Sequence, residues 1–291
     1  MSANWIKETH NYHAEATALR GNIIQPLKGK INPQAYNKLH GREGSYRSQR
    51  SDGFRFEHIL AYESAYTHVA GSYSERVGNV DNFNKAPGWN TVSTSVIEGL
   101  NIMEILTADR IVSQVSTVHR RDGHRPTVSF LGTRFENVRI AGLEVEINLN
   151  TQLFGENPLS TYDYPQGHAL YESVRECPNL KADFAGRYPE EQGEGEKSRQ
   201  ASSNIGTVHA SLVTSVQVKG KFPGTTHGSM INLTNFGQIY FAPFMLTQSN
   251  LDGQNGPKET LLELKMLAIR MGCIADGDVD AGGCVINGAT E

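Results

Sequence analysis

The sequence lacks several features that would quickly place a protein in a functional class. It has 3 cysteines in 291 residues, too few for a scaffold built on disulfides. No run approaches the roughly 18 apolar residues of a membrane-spanning helix, so no membrane span is predicted. A net charge of −4 gives no broad positive surface and excludes a general nucleic-acid-binding role. Nucleophile elbows, phosphate-binding glycine loops, dinucleotide fingerprints and metalloprotease spacings are also absent.

The first residues, MSANWIKETHNYHAEA, contain neither a basic segment nor an apolar one, so they do not predict a secretory signal. A cytoplasmic location, export without a standard leader and removal of a leader all agree with this pattern. The cysteines leave two alternatives open. Cys273 and Cys284 form either a short-loop disulfide that stabilises by roughly 3 kcal/mol, or buried thiols in a reducing compartment.

What the sequence has is alternation. In RIAGLEVEINLN, residues 139–150, apolar side chains occupy every second position from Leu143 to Leu149, and Glu or Asn follows each of them. A strand exposes successive side chains on opposite faces, so this segment has one face for a core and one for solvent. The 29 glycines favour a turn-rich β protein. We therefore predict one all-β domain over residues 1–291, with two packed antiparallel sheets arranged as a sandwich or jelly roll.

Individual segments refine this prediction. Residues 10–24 alternate, with Ala14, Ala16 and Ala18 on one face, which suits a strand packed closely against another layer. Asp122-Gly123 between two strand-like runs predicts a hairpin. Residues 259–273 have helix-forming composition, but their alternation favours a strand.

Other segments predict less regular structure. Asn32, Pro33 and Gly41 stand where helix caps do, so INPQAYNKLHG predicts a helical turn. The polar residues that follow it, 42–53, predict a loop. Residues 151–205 are rich in Pro, Glu and Gly and predict an irregular excursion, with a short helix at 165–177 that ends before a proline.

Four stretches carry a family resemblance: STSVIEGLNIMEILTADRIVSQVSTVHRRDG, FENVRIAGLEVEINLN, INLTNFGQIYFAPFMLTQSN and LLELKMLAIRMGCIADGDV. They cover about half of the chain and resemble the bacterial choice-of-anchor P family in the same order. The resemblance implies a β-rich, mostly exported or surface-located protein without an assigned reaction. The sequence departs from that family in having no leader and in its Pro/Glu-rich excursion. The resemblance supplies no catalytic residues.

Asp276, Asp278 and Asp280 form the best metal candidate. They occur at alternate positions in a predicted glycine-rich loop, as the oxygen ligands of Ca²⁺ often do. An EF-hand-like loop would have Gly in place of Ala281 and Glu in place of Asn287, so the predicted calcium affinity is weak. The alternative is an exposed acidic turn.

Two further clusters contain chemically active side chains. The segment HRRDGHR gathers His119, Arg120, Arg121, His124 and Arg125, a positive patch that suits an anionic ligand or an acidic neighbour, or simply a solvated hairpin tip.

The second cluster is Tyr46, Arg47 and His58, residue types that abstract protons and stabilise enolates in polysaccharide lyases. A basic loop of this composition also arises without any catalytic role.

Without a compact catalytic set, we expect a non-enzymatic structural or binding protein. It would self-assemble as a homo-oligomer or dock on a surface partner through β-strand contacts. The two chain ends, MSANWIKETH and GGCVINGATE, would either add a strand to a neighbouring sheet or fold back onto their own sheet. The alternative is a β-sandwich enzyme, such as a polysaccharide lyase or cyclase, that uses Tyr46, Arg47 and His58.

Overall fold

Strand pairing accounts for all the regular structure that we describe. The structure is a computed structural model and describes residues 10–77, 86–121, 127–153, 204–250, 258–272 and 274–290. The strands are, in chain order, β1 (His10–Gln25), β2 (Gly29–Gln34), β3 (Asn37–Gly41), β4 (Tyr46–Ser51), β5 (Phe54–Phe56), β6 (Leu60–Tyr62), β7 (Ser64–Val77), β8 (Ala86–Ile102), β9 (Leu106–Arg120), β10 (Thr127–Ser129), β11 (Arg134–Glu136), β12 (Arg139–Ile140), β13 (Leu143–Leu149), β14 (Asn204–Ser211), β15 (Val213–Val218), β16 (Gly224–His227), β17 (Met230–Leu233), β18 (Gly237–Phe241), β19 (Pro243–Asn250), β20 (Lys258–Met271) and β21 (Asp276–Thr290).

These strands form two packed antiparallel sheets, which confirms the predicted fold class. The first sheet has the order β16-β17-β18-β20-β21-β1-β2, with β3 beside β1, β19 beside β20, and β14 beside β19. The second has the order β15-β13-β12-β9-β8-β6-β5, with β7 and β4 extending from β8 and with β10 and β11 beside β9. In the described part of the chain, no helix is long and apolar enough to cross a membrane.

The sheets approach each other closely where their long central strands meet. Ala14, Ala16 and Ala18 of β1 are fully buried, as the close-packing prediction required. From the opposite sheet, the Ser93 hydroxyl donates to the carbonyl of Glu15 (2.6 Å). Two residues further along β8, the Ser95 hydroxyl donates to the carbonyl of Thr17, at 3.0 Å. A serine side chain reaches a facing backbone only where the neighbouring side chains are small, so alanine and serine together set the sheet separation.

Cys284 lies in this narrow interface. It is a free, buried thiol whose Sγ is 3.6 Å from the carbonyl of Ser113. Burial raises the pKa of the thiol to about 11, so it stays protonated and unreactive near neutral pH. The sequence left open either a disulfide or a buried thiol, and Cys284 is a buried thiol. Cys273 lies outside the described residues.

The inward and outward faces exchange along one line across the first sheet. At this line three neighbouring strands bury consecutive residues, two each in β1 and β21 and the four residues 266–269 in β20, which shifts the alternation by one position. These residues are aligned because Ala281 is opposite both Leu19 and Leu267. They include Ala18–Leu19 in β1, Ala281–Gly282 in β21 and Met266–Leu267 in β20.

The predicted helix at 31–41 is wrong, because the segment forms β2 and β3, which both pair with β1. Pairing along β1 outweighs the local helix signals. Pro33 is tolerated because it stands where the register of the β1–β2 pair slips, opposite no residue of β1.

The predicted polar loop at 42–53 is also partly wrong, because it contains β4, whose residues are mostly exposed. In contrast, the strands predicted at 10–24 and 259–273 correspond to β1 and β20, and the predicted hairpin strands pair as β9 and β10. Most of the predicted excursion and its short helix lie outside the described residues.

The C-terminal segment does not reach out to a neighbour. It forms β21, which pairs with β1 on one side and β20 on the other, in the middle of the first sheet. That half of the strand-exchange prediction is wrong, since both edges of β21 are already used within the chain. Residues 1–9 lie outside the described residues.

Candidate functional site

The structure does not bring the predicted catalytic residues together. Tyr46 is level with Val92 of β8, through the pairing of both strands with β7. His58 lies in the turn before β6, near the Ile102 end of β8. Ten residues of β8 separate these levels, roughly 33 Å at 3.3 Å per residue. Arg47 follows Tyr46 directly on the strand, so its side chain points to the opposite face.

The three predicted calcium ligands lie on a strand rather than in a loop. Asp276, Asp278 and Asp280 share the outward face of β21. Asp280 accepts from Arg20 at 3.1 Å and forms an ion pair with Lys265 at 3.0 Å. In the described ranges, no group of three or more His, Cys, Asp or Glu side chains is arranged to hold a metal. Calcium binding stays a prediction.

The predicted anion patch loses one of its members to the interior. His119 is only 9% exposed and pairs in register with Trp89 of β8, so it faces the opposite sheet. Arg121 follows β9, and its amide donates to Pro87 at 2.8 Å. The side chain of Arg120 and residues His124 and Arg125 lie outside the description, so anion binding at this tip stays a prediction.

His119 belongs instead to a buried aromatic cluster that the sequence analysis missed. Its ring lies 4.8 Å from that of His10, which stacks on Trp89 at 5.2 Å and meets Tyr12 edge-on at 4.8 Å. Burial lowers the pKa of His10 to about 4. Burial and the neighbouring His10 lower the pKa of His119 to about 3. The signal was available, since His10 stands in phase with the buried alanines of β1.

One side of the sandwich is closed by hydrogen bonds between the sheets. Arg47 on edge strand β4 donates to the carbonyl of Lys38 on edge strand β3 (3.0 Å). Thr67 of β7 donates to the carbonyl of Ala35 at 2.6 Å and accepts from the side chain of Asn37 at 2.9 Å. These bonds occupy the Lys38 carbonyl of β3 and the Ala35 carbonyl just before the strand, and they hold the β3 and β4 edges together.

A polar cluster centred on Glu15 covers the outward face beside this closed side. Its carboxylate contacts His13 (3.0 Å), Lys38 (2.7 Å) and the hydroxyl of Tyr36 (3.0 Å). These contacts, above all the one to His13, lower the pKa of Glu15 to about 2 against the opposing effect of burial. The carboxylate therefore stays charged and is engaged in structural contacts at neutral pH.

The opposite side of the sandwich ends in two successive strands, β14 in the first sheet and β15 in the second, joined at buried Leu212. Within the described residues, β14 pairs with β19 and β15 with β13, and neither has a strand on its other edge. We call β14 and β15 the open side. It is the strongest candidate site, because an edge strand presents backbone donors and acceptors to any further strand.

The hydrogen bonds between β15 and β13 determine which backbone amides of β15 point toward β13 and which point away from it. The amide of Lys219 donates to Glu144 of β13, at 2.8 Å. Because donors alternate along an antiparallel strand, the amides of Ser215 and Gln217 also point to β13, and that of Val216 points away from it. The strand VTSVQV carries no charge and no proline. Sequence alternation alone could not identify it as an edge strand.

A comparison with protein families places the chain. Residues 10–247 match the family described as Domain of unknown function (DUF8256). The chain belongs to this family. No curated protein and no solved structure matches the sequence. The resemblance to the choice-of-anchor P family stays a prediction.

The residues matched to DUF8256 include most of the strands but not all of the first sheet. It extends from β1 into β19 and so includes both the closed side and both strands of the open side. Strands β20 and β21 follow it along the chain but lie inside the first sheet, between β18 and β1. The matched region therefore depends on the later strands to connect its first sheet.

Proposed function

We propose that the protein is a non-enzymatic structural or binding protein that takes up a further β-strand at its open side, in the first instance from a second copy of itself. The observation that carries the proposal is the uncharged edge of β15, on which no other strand of the described residues pairs. Backbone hydrogen bonds from an added strand would continue the second sheet, as they do in other β-augmented complexes.

The contrast between the edges supports this choice. Natural edge strands usually carry charges, prolines or bulges that prevent association. Strand β4 contains Arg47 and Arg50, and β2 contains Lys30 and Pro33. Strand β15 has neither a charge nor a proline between Val213 and Val218, and its register shift at Thr214 lies near the start of the strand.

A second copy is a suitable partner for chemical reasons. Two β15 strands related by a two-fold axis would pair antiparallel, and no like charges would meet because the strand has none. The half-buried Val216 and Val218 would gain cover from the partner. Lys219, next to the strand end, is already paired with Glu144 at 2.9 Å.

Lysine substitutions on β15 test the proposal. The unchanged chain should show twice the 32.0 kDa monomer mass in size-exclusion chromatography with light scattering as its concentration rises. The double variant Ser215→Lys/Gln217→Lys should remain a monomer. Its lysines would face lysines of the partner and repel them.

The closed side provides a matched control. Ser48→Lys/Gln49→Lys places the same charges on the same residue types, at exposed positions of edge strand β4. This variant should assemble like the unchanged chain. Unimpaired assembly of the β15 variant, or an unchanged chain that stays monomeric at every concentration, would rule out self-assembly through this edge.

A further inference from the structure

A depression of about 480 Å³ lies on the outward face of the second sheet, at the β5–β6 hairpin. In the sheet order it stands at the far end from β15. Its lining includes the small residues Ala61, Gly53 and Gly99 and the aromatic residues Phe54 and Tyr62. Three polar residues, Arg55, Glu63 and Asn101, complete the lining, and we call them the wall residues.

Strand register places the wall residues in two rows. Arg55 is opposite Ala61, and Ala61 is opposite Asn101, so two hydrogen-bond donors flank one small residue. The Oδ1 atom of Asn101 accepts from the amide of Glu104 at 2.8 Å, which leaves the Nδ2 group as its donor. Glu63 belongs to the neighbouring row, beside Gly99. Donors and acceptor therefore stand in adjacent rows.

Gly99 determines where the Glu63 side chain lies. The glycine has φ +65°, and a Cβ at this position would be 2.4 Å from Cγ of Glu63. Only glycine meets both requirements without strain. Within the described residues, neither the Arg55 nor the Glu63 side chain has a hydrogen bond or ion pair, although both are exposed and lie on diagonally related positions of one hairpin. Such positions are roughly 7–8 Å apart.

We propose that this depression binds a small zwitterion, with free α-amino acids as the ligand class. The ligand carboxylate lies over Ala61 and accepts from Arg55 and Asn101, and its ammonium group donates to Glu63 above Gly99. A simple anion would gain Arg55 but meet repulsion from Glu63, and a simple cation the reverse. A ligand with both charges satisfies both walls. The proposal is independent of strand addition at the open side.

Amide shifts in NMR spectra of the ¹⁵N-labelled full chain test this assignment. L-alanine and L-glutamine, each titrated to about 50 mM, should produce saturable shifts at Ala61 and Gly99, since few contacts imply a millimolar Kd. Propionate and ethylamine, which each lack one charge, should bind about tenfold more weakly. Glucose should produce no saturable shift.

Single substitutions locate the site. Arg55→Gln and Glu63→Gln should each weaken amino-acid binding about tenfold. Arg139→Gln and Glu43→Gln, made at exposed positions outside the depression, should leave it unchanged. Circular dichroism of each variant checks that the fold is retained. Absence of saturable shifts with both amino acids, equal binding of propionate or tighter binding of glucose would overturn the proposal.

Discussion

Replacing Ala16 by leucine is expected to lower the free energy of unfolding by about 3 kcal/mol, near the upper end for overpacked cores. Ala16 is fully buried between two carbonyls that accept hydrogen bonds from Ser93 and Ser95 of the facing sheet. A leucine side chain would have to push the sheets apart and break these bonds. Urea unfolding, followed by circular dichroism, measures the loss.

Thr17→Leu is the matched control, because Thr17 is the next residue of β1 and faces outward. Threonine and leucine both tolerate a strand, so this variant should change the free energy of unfolding by less than about 1 kcal/mol. An Ala16→Leu variant as stable as Thr17→Leu would show that the sheets are not held at the separation described above.

Stability is expected to fall as the pH is lowered from 6.5 to 4.5, by an amount on the order of 2 kcal/mol for each of two buried histidines. His10 and His119 have folded-state pKa values of about 4 and about 3, below the ordinary 6.5. Their contribution is complete above pH 6.5. It is lost on acidification because the unfolded chain binds protons that the folded chain does not.

Glu15 affects the stability of the fold in a separate pH range, below that of the two histidines. Its folded-state pKa of about 2 is below the ordinary 4.5, so its contribution is present above pH 4.5 and is lost between pH 4.5 and pH 2. Urea unfolding at several pH values between 7 and 4.5 therefore reports on histidines rather than on this carboxylate.

The variant His119→Gln tests whether the buried histidines cause the loss of stability on acidification. For each variant, the free energy of unfolding at pH 4.5 is compared with its own value at pH 7. In His119→Gln this decrease should be about half as large as in the unchanged chain. His40→Gln, at an exposed position of β3, should keep the full decrease. A stability that does not change between pH 7 and pH 4.5, or the same slope in all three proteins, would contradict the described burial.

At the candidate sites, the sequence did not predict which residues lie close together in space. Asp276, Asp278 and Asp280 were predicted in a glycine-rich loop, but they share the outward face of strand β21. Their cationic neighbours Arg20 and Lys265 are distant in sequence and come from other strands. Tyr46 and His58 are near in sequence, yet roughly 33 Å of strand separates their levels. Spacing along a chain gives no distance across a sheet.

By itself, the sequence determined the fold class and the faces of the long strands, because the period of two in segments such as 10–24 and 143–149 is a local property. It also determined the close approach of the sheets through Ala14, Ala16 and Ala18, whose size permits no other spacing. Only the tertiary structure decided the rest. The 31–41 segment became two strands because β1 offered a pairing edge, which outweighed its helix signals. The open side exists because of which strands end each sheet, and strand order follows from long-range pairing that no local pattern encodes.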